Sequence, residues 1–380
     1  MKQTGYDMLY LSACAVNGIK PDSDYITHID LAKLFQMCQF HSLTAIVCMA
    51  LESAGITDKK FIEAKSKAIR KNILLDAECE KILDFLEQNK IWYMPLKGVI
   101  LKELYPKIGM RQMADNDILY DKSYQKRVFE FMKKRGYTAE SVGKSHHDTY
   151  TKLPVYNFEM HTDLFVRMNN EKYYSYYSEI KKRLVQDEKK SYLYHFTDED
   201  FYVYMIAHEY KHYSQGGTGL RSLLDCFVYV QEKENSLDWD YITQQTDIFG
   251  ITDFEQESRK LAMKIFTNQN CNNLSDNEKE MLEFYLFSGT YGTMKHSVEK
   301  RVRTFNEQNG STSKFRYIWH RIFPPMEVYR QYFPFFYQHK FLLPVCWIFR
   351  LARTLIYHKK RLKSELYFIY HSDSLEKKNK

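Results

Sequence analysis

Between Ile91 and Phe165 the sequence gives up helical periodicity for short apolar runs separated by turn residues, and this stretch limits what the chain can fold into. IWYMP (91–95) reads as a strand, LKGVILKELYP (96–106) as a helix ended by Pro106, and KIGMRQM as a loop. ADNDILY (114–120) is a second strand, and Asp121–Arg135 is a helix stopped by Gly136. YTAESV and DTYTKL flank GKSH as a hairpin, and VYNFEMHTDLF (155–165) is a longer strand. The β-α-β-α-β-β-β order specifies an α+β core, a small mixed sheet with helices on one side.

The flanks are helical. Only 14 Gly and 8 Pro occur in 380 residues, too few turn-formers for a many-stranded sandwich. LAKLFQMCQFHSLTAIVCMALESAG carries apolar positions at helical spacing and closes on Gly55. Leu75, Cys79, Ile82 and Leu86 recur at intervals of four and three, a core-facing stripe on a charged helix running to about Lys90. Thr197 reads as the N-cap of FYVYMIAHEYKHY, the loop SQGGTG interrupts, and LRSLLDCFVYVQEKE resumes the helix. There Arg221 and Asp225 stand four apart, a spacing that predicts a pair on the helix surface or one that orients a neighbouring group. Residues 275–300 read as helix again. The expected organisation is an N-terminal helical region (1–90), the α+β core (91–196), a helical lobe (197–300) and a basic, aromatic-rich helical segment (301–380).

Charge is distributed unevenly. Lys and Arg outnumber Asp and Glu by 55 to 48, yet the last ninety residues alone hold 18 basic against 6 acidic side chains. The first 290 residues are therefore net acidic, and the basic tail is a candidate docking surface rather than a sign of nucleic-acid binding by the whole chain. Seven cysteines (14, 38, 48, 79, 226, 271, 346) form no C-x-x-C pair and read as buried thiols in a reducing compartment. MKQTGYDMLYLSACAVNGIK lacks the pattern of a signal peptide. Phe341–Tyr357 is apolar but short for a bilayer span and contains Pro344, Arg350 and Arg353. No transmembrane segment and a cytoplasmic location are expected.

Chemistry concentrates at Asp115-Asn116-Asp117. Residues two apart in a strand share a face, so both carboxylates project together and repel unless a cation neutralises them. Mg²⁺ is the hard cation that takes one or two carboxylates plus substrate phosphates. Asp-x-Asp also occurs at 22/24, 198/200 and 238/240, where it reads as helix caps or loops. In VYNFEMH, Tyr156, Phe158 and Met160 share one face, leaving Asn157, Glu159 and His161 on the other. Should this strand neighbour ADNDILY, three acids converge, an arrangement suited to two metal ions and an in-line displacement of pyrophosphate. Upstream, Gly98 sits at a strand-to-helix turn that lets backbone approach a phosphate, with Lys97 and Arg111 adding positive charge.

These residues resemble the bacterial group of uncharacterised nucleotidyltransferases within the DNA polymerase beta-like superfamily. The matching segments are PLKGVILKELYP, GMRQMADNDILY and FEMHTDLF, with weaker likeness in LAKLFQMCQFHSLTAIV, in AHEYKHY–GTGLRSLLDCFVYV and in RIFPPMEVYRQYFP. The resemblance covers roughly residues 25–235. It implies that Asp115 and Asp117 ligate Mg²⁺, that Glu159 is the third acid, and that Gly98 with its helix meets the triphosphate. The broad superfamily has Gly-Ser or Gly-Gly at the phosphate turn, whereas this chain has Lys97-Gly98-Val99. The implied reaction is Mg²⁺-dependent transfer of a nucleoside monophosphate from an NTP to a hydroxyl, with pyrophosphate released. The acceptor is open among a small molecule, a protein side chain and an RNA end.

Two other readings compete. One is a non-catalytic nucleotide-binding module of the same fold. The other follows from His208-Glu209-Tyr210-Lys211-His212, a literal H-E-x-x-H that would make a zinc metallohydrolase if a third ligand joined it. Otherwise His208 packs with Phe201 and Met205 or lines the nucleotide cleft. His146-His147 lies on the hairpin and reads as solvated, and His41 reads as a core histidine.

Overall fold

The computed structural model describes residues 2–167, 171–268, 273–290, 292, 295, 297–298, 301–302, 305–306, 314–357 and 359–371. The backbone divides into two compact units, Met1–Tyr210 with Gly219–Leu286 and Lys211–Thr218 with Phe287–Lys380.

The first unit is built on a five-stranded mixed sheet, and the α+β expectation holds. Its strands are β1 (Tyr93–Pro95), β2 (Asn116–Tyr120), β3 (Thr138–Glu140), β4 (His147–Lys152) and β5 (Tyr156–His161), in the spatial order β1-β2-β5-β4-β3. Only the β2–β5 pair is parallel; the others are antiparallel. Period-two alternation sends Ile118, Tyr120, Phe158, Met160 and Tyr150 to one face, where all are fully buried. The Lys59–Gln88 helix covers that face with its stripe of Leu75, Cys79, Ile82 and Leu86, joined by Val128 and Met132 of the Gln125–Lys134 helix. That second helix ends before Gly136, whose φ of +83° is one that L side chains rarely adopt.

Further helices complete the unit. Lys2–Val16, Leu31–His41 and Thr44–Ser53 precede the long helix, and Asp30 and Asp58 cap helix starts by accepting from backbone N–H groups. Thr197 caps as its sequence predicts: the Asp200 N–H donates to its Oγ1 at 3.1 Å, opening the Asp198–Gln215 helix. Leu220–Lys233, Trp239–Phe249, Thr252–Asn268 and Asp276–Ser288 follow. The expected 275–300 helix ends at Ser288, and beyond 290 that range lies largely outside the described residues. Cys271 is also outside them, and the other six cysteines are buried free thiols.

The second unit holds the helices Lys314–Ile322, Met326–Tyr332, Leu343–Tyr357 and Lys359–His371 around a small cluster of Val298, Val302, Phe305, Tyr317 and Ile369. Among the described residues no single helix is long and apolar enough to cross a membrane. Lys340–Tyr357 and Leu362–Tyr370 together have the length and composition for one span, but with a 99° bend between them.

His41 shows what burial does to a titratable group here. Its ring is fully enclosed, and Nε2 donates to the Leu286 carbonyl at 3.1 Å. Burial holds the imidazole pKa down, from 6.5 to about 4. The folded state thus keeps the ring neutral while the unfolded chain protonates it. The resulting stability is present above pH 6.5 and lost as pH falls toward 4, a span worth about 3 kcal/mol. We expect His41→Gln to flatten the acid limb of a urea-midpoint versus pH curve between those values. An unchanged limb would show that the ring does not titrate this way.

Candidate active site

Strand register decides which side chains meet. In the parallel β2–β5 pair Asp117 lies opposite Glu159, and in the antiparallel β4–β5 pair His147 lies opposite His161. All four therefore project from the sheet face opposite the apolar core. His161 Nε2 lies 3.3 Å from Asp117 Oδ1 and 3.6 Å from Glu159 Oε2, and His147 Nε2 is 3.6 Å from Glu159. Asp115 precedes β2 by one residue and shares the field of the other acids. Burial, then the charges of Asp117 and Glu159, push its pKa above the usual carboxylate range. Burial also acts against ionised Asp117, but the His161 hydrogen bond and charge outweigh it and hold that carboxyl low. The same contacts raise His161 to about 9 against the opposing effect of burial. The predicted acids thus stand together, with histidine partners that strand alternation alone did not single out.

The loop before β2 is tied down on several sides. Gly109 has φ +87°, and a Cβ there would meet Ile69 Cγ1 at 2.6 Å, so only glycine lets the loop approach the long helix. Asn72 donates to the Arg111 carbonyl at 3.2 Å, and Lys71 Nζ donates to the Ala114 carbonyl at 2.8 Å. Gln112 Oε1 accepts from Thr44 Oγ1 and the Ala45 N–H at 2.7 and 3.0 Å. Helices far upstream in sequence thus position Asp115. The charges of Arg221 and then Lys71 help keep it ionised.

Lys97 opens a short helix, Lys97–Leu101, directly after β1. Its Nζ is 2.8 Å from His208 Nδ1 on the Asp198–Gln215 helix. Burial lowers its pKa to about 8, with Asp225 and Asp117 pulling upward and Arg111 and Arg221 downward. At Gly98 an added Cβ would sit 3.0 Å from Met113 Cε and 3.5 Å from Arg111 Nη1, so the missing side chain makes room for the loop. Arg111 is buried and forked onto Asp225, Nε to Oδ1 at 2.8 Å and Nη2 to Oδ2 at 2.9 Å, with Tyr105 donating to Oδ1 at 2.8 Å.

Two expectations change. Asp225 is buried rather than on the helix surface and takes Arg111, with the Arg221 charge also helping to hold it ionised, while Arg221 Nη1 donates to the Gln112 carbonyl at 3.0 Å. His146 and His147 are half-buried beside the acids rather than solvated. Lys71 went unrecognised in sequence because a single basic residue on a helix carries no local signature. In the H-E-x-x-H segment, His208 faces Lys97. Glu209 is buried and accepts from Tyr285 at 2.6 Å, its carboxyl pushed up to about 7 chiefly by burial. Among the described residues the groups able to hold a metal are Asp117–Glu159–His161 and His146–His147–His161, and neither includes His208 or His212.

A family model described as uncharacterised nucleotidyltransferase matches residues 27–267, more than half of the chain. No curated protein and no solved structure matches it.

The Arg111–Asp225 clamp gives a stability test. Asp225→Asn leaves a buried guanidinium without its counter-charge, and we expect a loss of about 3–5 kcal/mol in urea unfolding. Arg111→Met combined with Asp225→Leu should lose much less than the two single substitutions summed. Additive losses would show that the pair is not coupled.

Proposed function

The chain belongs to the uncharacterised nucleotidyltransferase family, and from that premise we propose that it moves a nucleoside monophosphate from an NTP to a hydroxyl acceptor and releases pyrophosphate. The observation that carries this reading is the set Asp115, Asp117 and Glu159: the parallel register sets Asp117 opposite Glu159 on one sheet face, and Asp115, one residue before β2, lies within their field. The donors suit Mg²⁺: all are carboxylate oxygens, and burial together with the neighbouring charges of Asp117 and Glu159 raises Asp115, a strain that a divalent cation would relieve. Two Mg²⁺ ions on these residues would supply Lewis-acid stabilisation of charge on the attacking and departing oxygens.

The chain's own groups do the rest. The acceptor oxygen bonds to the α-phosphorus as the bond to the bridging oxygen of pyrophosphate breaks. Glu159 favours loss of the acceptor's proton. Lys97, with a pKa of about 8, is mostly cationic at neutral pH and is aimed by His208; with Gly98 it positions the triphosphate. Arg111 acts from behind, because its fork onto Asp225 anchors the loop over Gly98. His161 orients Asp117. The basic 301–380 segment is a docking surface for the acceptor or a partner carrying it, in a cytoplasmic setting.

Incubation with α-labelled ATP, CTP, GTP or UTP, Mg²⁺ and fractionated cell extract should move label to one fraction with stoichiometric pyrophosphate. That fraction identifies the acceptor class. Asp115→Asn with Asp117→Asn should reduce transfer by at least about a hundredfold, since even residues that merely orient metal ligands cost 10–100-fold. The same variant should lose the NTP- and Mg²⁺-dependent rise in melting temperature. A rise that survives the substitutions overturns the site, and a rise without label transfer favours the non-catalytic binding module.

A further inference from the structure

Beside the carboxylates stands a second group of ligands of different chemistry. His146, His147 and His161 each offer a ring nitrogen, and these atoms lie within 4.8 Å of one another. The strands build this cluster. His147 faces His161 across the β4–β5 pair. His146, one residue earlier, is pinned at the end of β5 because its carbonyl accepts from the Thr162 and Asp163 N–H groups at 2.8 and 3.2 Å. The three ring centroids are consequently 4.5, 4.9 and 5.5 Å apart.

The far side of each ring is also held. Ser145 Oγ is 3.0 Å from His146 Nδ1, while His146 Nε2 turns toward His147 Nδ1 at 3.4 Å. His147 presents its other nitrogen, Nε2, to Glu159. His161 turns Nε2 to Asp117, and its Nδ1 is buried with no hydrogen-bond partner. A hydroxyl or carboxylate on one imidazole nitrogen is how metal-bound histidines are oriented. Tetrahedral coordination at about 2.0–2.1 Å needs nitrogens on the order of 3.3 Å apart, a spacing the His146–His147 contact nearly meets.

We propose that His146, His147 and His161 form a binding site for one divalent transition-metal ion, of which Zn²⁺ is the type, at the edge of the carboxylate cluster. Three imidazoles discriminate against Mg²⁺, which prefers oxygen, and in favour of borderline ions. His161 belongs to both groups, so an ion here fixes the ring that contacts Asp117 and Glu159. The site stands apart from the transferase reading, because its test reads metal and not nucleotide.

Full-length protein stripped with chelator and titrated with Zn²⁺ in millimolar Mg²⁺ should bind one equivalent by calorimetry and melt at higher temperature. Co²⁺ in its place should give the intense visible absorption of a low-coordinate nitrogen-ligated site. His146→Ala with His147→Ala, checked for folding by circular dichroism, should weaken this binding at least tenfold. Cu²⁺ electron paramagnetic resonance on the unaltered protein should show coupling to several imidazole nitrogens, so the proposal can be decided even if the variant misfolds. Zn²⁺ binding that persists in the folded double variant, displacement by Mg²⁺, or a copper spectrum without nitrogen coupling would each overturn it.

Discussion

Parallel pairing of β2 with β5 is the constraint from which the candidate site follows. It sets Asp117 opposite Glu159, and alternation places Asn116, Ile118, Phe158 and Met160 on the reverse side. A slip of one residue would exchange the faces, turning acids into the core and Phe158 and Met160 into solvent. The register is therefore paid for by hydrophobic burial beneath the Lys59–Gln88 and Gln125–Lys134 helices. Three mutually repelling carboxylates persist because the energy holding them comes from the opposite side of the sheet.

Electrostatics on the acid face is balanced locally. His161 stabilises Asp117, while Arg221 and Lys71 act on Asp115. Burial brings Lys97 closer to neutrality than an ordinary lysine, while the charges of Asp225 and Asp117 oppose those of Arg111 and Arg221 at it. The Arg111–Asp225 fork neutralises itself and serves as a peg for the loop leading to Asp115. The acidic balance of the first 290 residues thus says little about the site, where individual basic side chains offset the acids only in part.

What could be read from sequence was whatever has a local period or a local stop. The strand alternation around Asp115, Asp117 and Glu159, the stripe from Leu75 to Leu86, the halt at Gly136 and the cap at Thr197 all act within a few residues. Contacts made across the fold were not legible. Lys97 and His208 are 111 positions apart, Arg111 and Asp225 are 114, and no periodicity links them. For Arg221 and Asp225 the local rule misled about exposure: an i,i+4 spacing marks two residues as neighbours, but not that the carboxylate is buried and also takes an arginine from another segment. His146-His147 misled in the same way, since a hairpin position says nothing about the strand it faces.

The H-E-x-x-H segment carries this point furthest. The motif implies zinc only if its two histidines find a third ligand and its glutamate stays available as a base. Here His208 turns to Lys97, and Glu209 is buried under the Tyr285 hydroxyl with a raised pKa. Both side chains are thereby committed to the packing of the nucleotidyltransferase core. The three histidines that do converge come from a hairpin and a strand end with no metal signature in their spacing. Ligand chemistry in this chain is set by strand register, which sequence specifies only through the apolar face it buries.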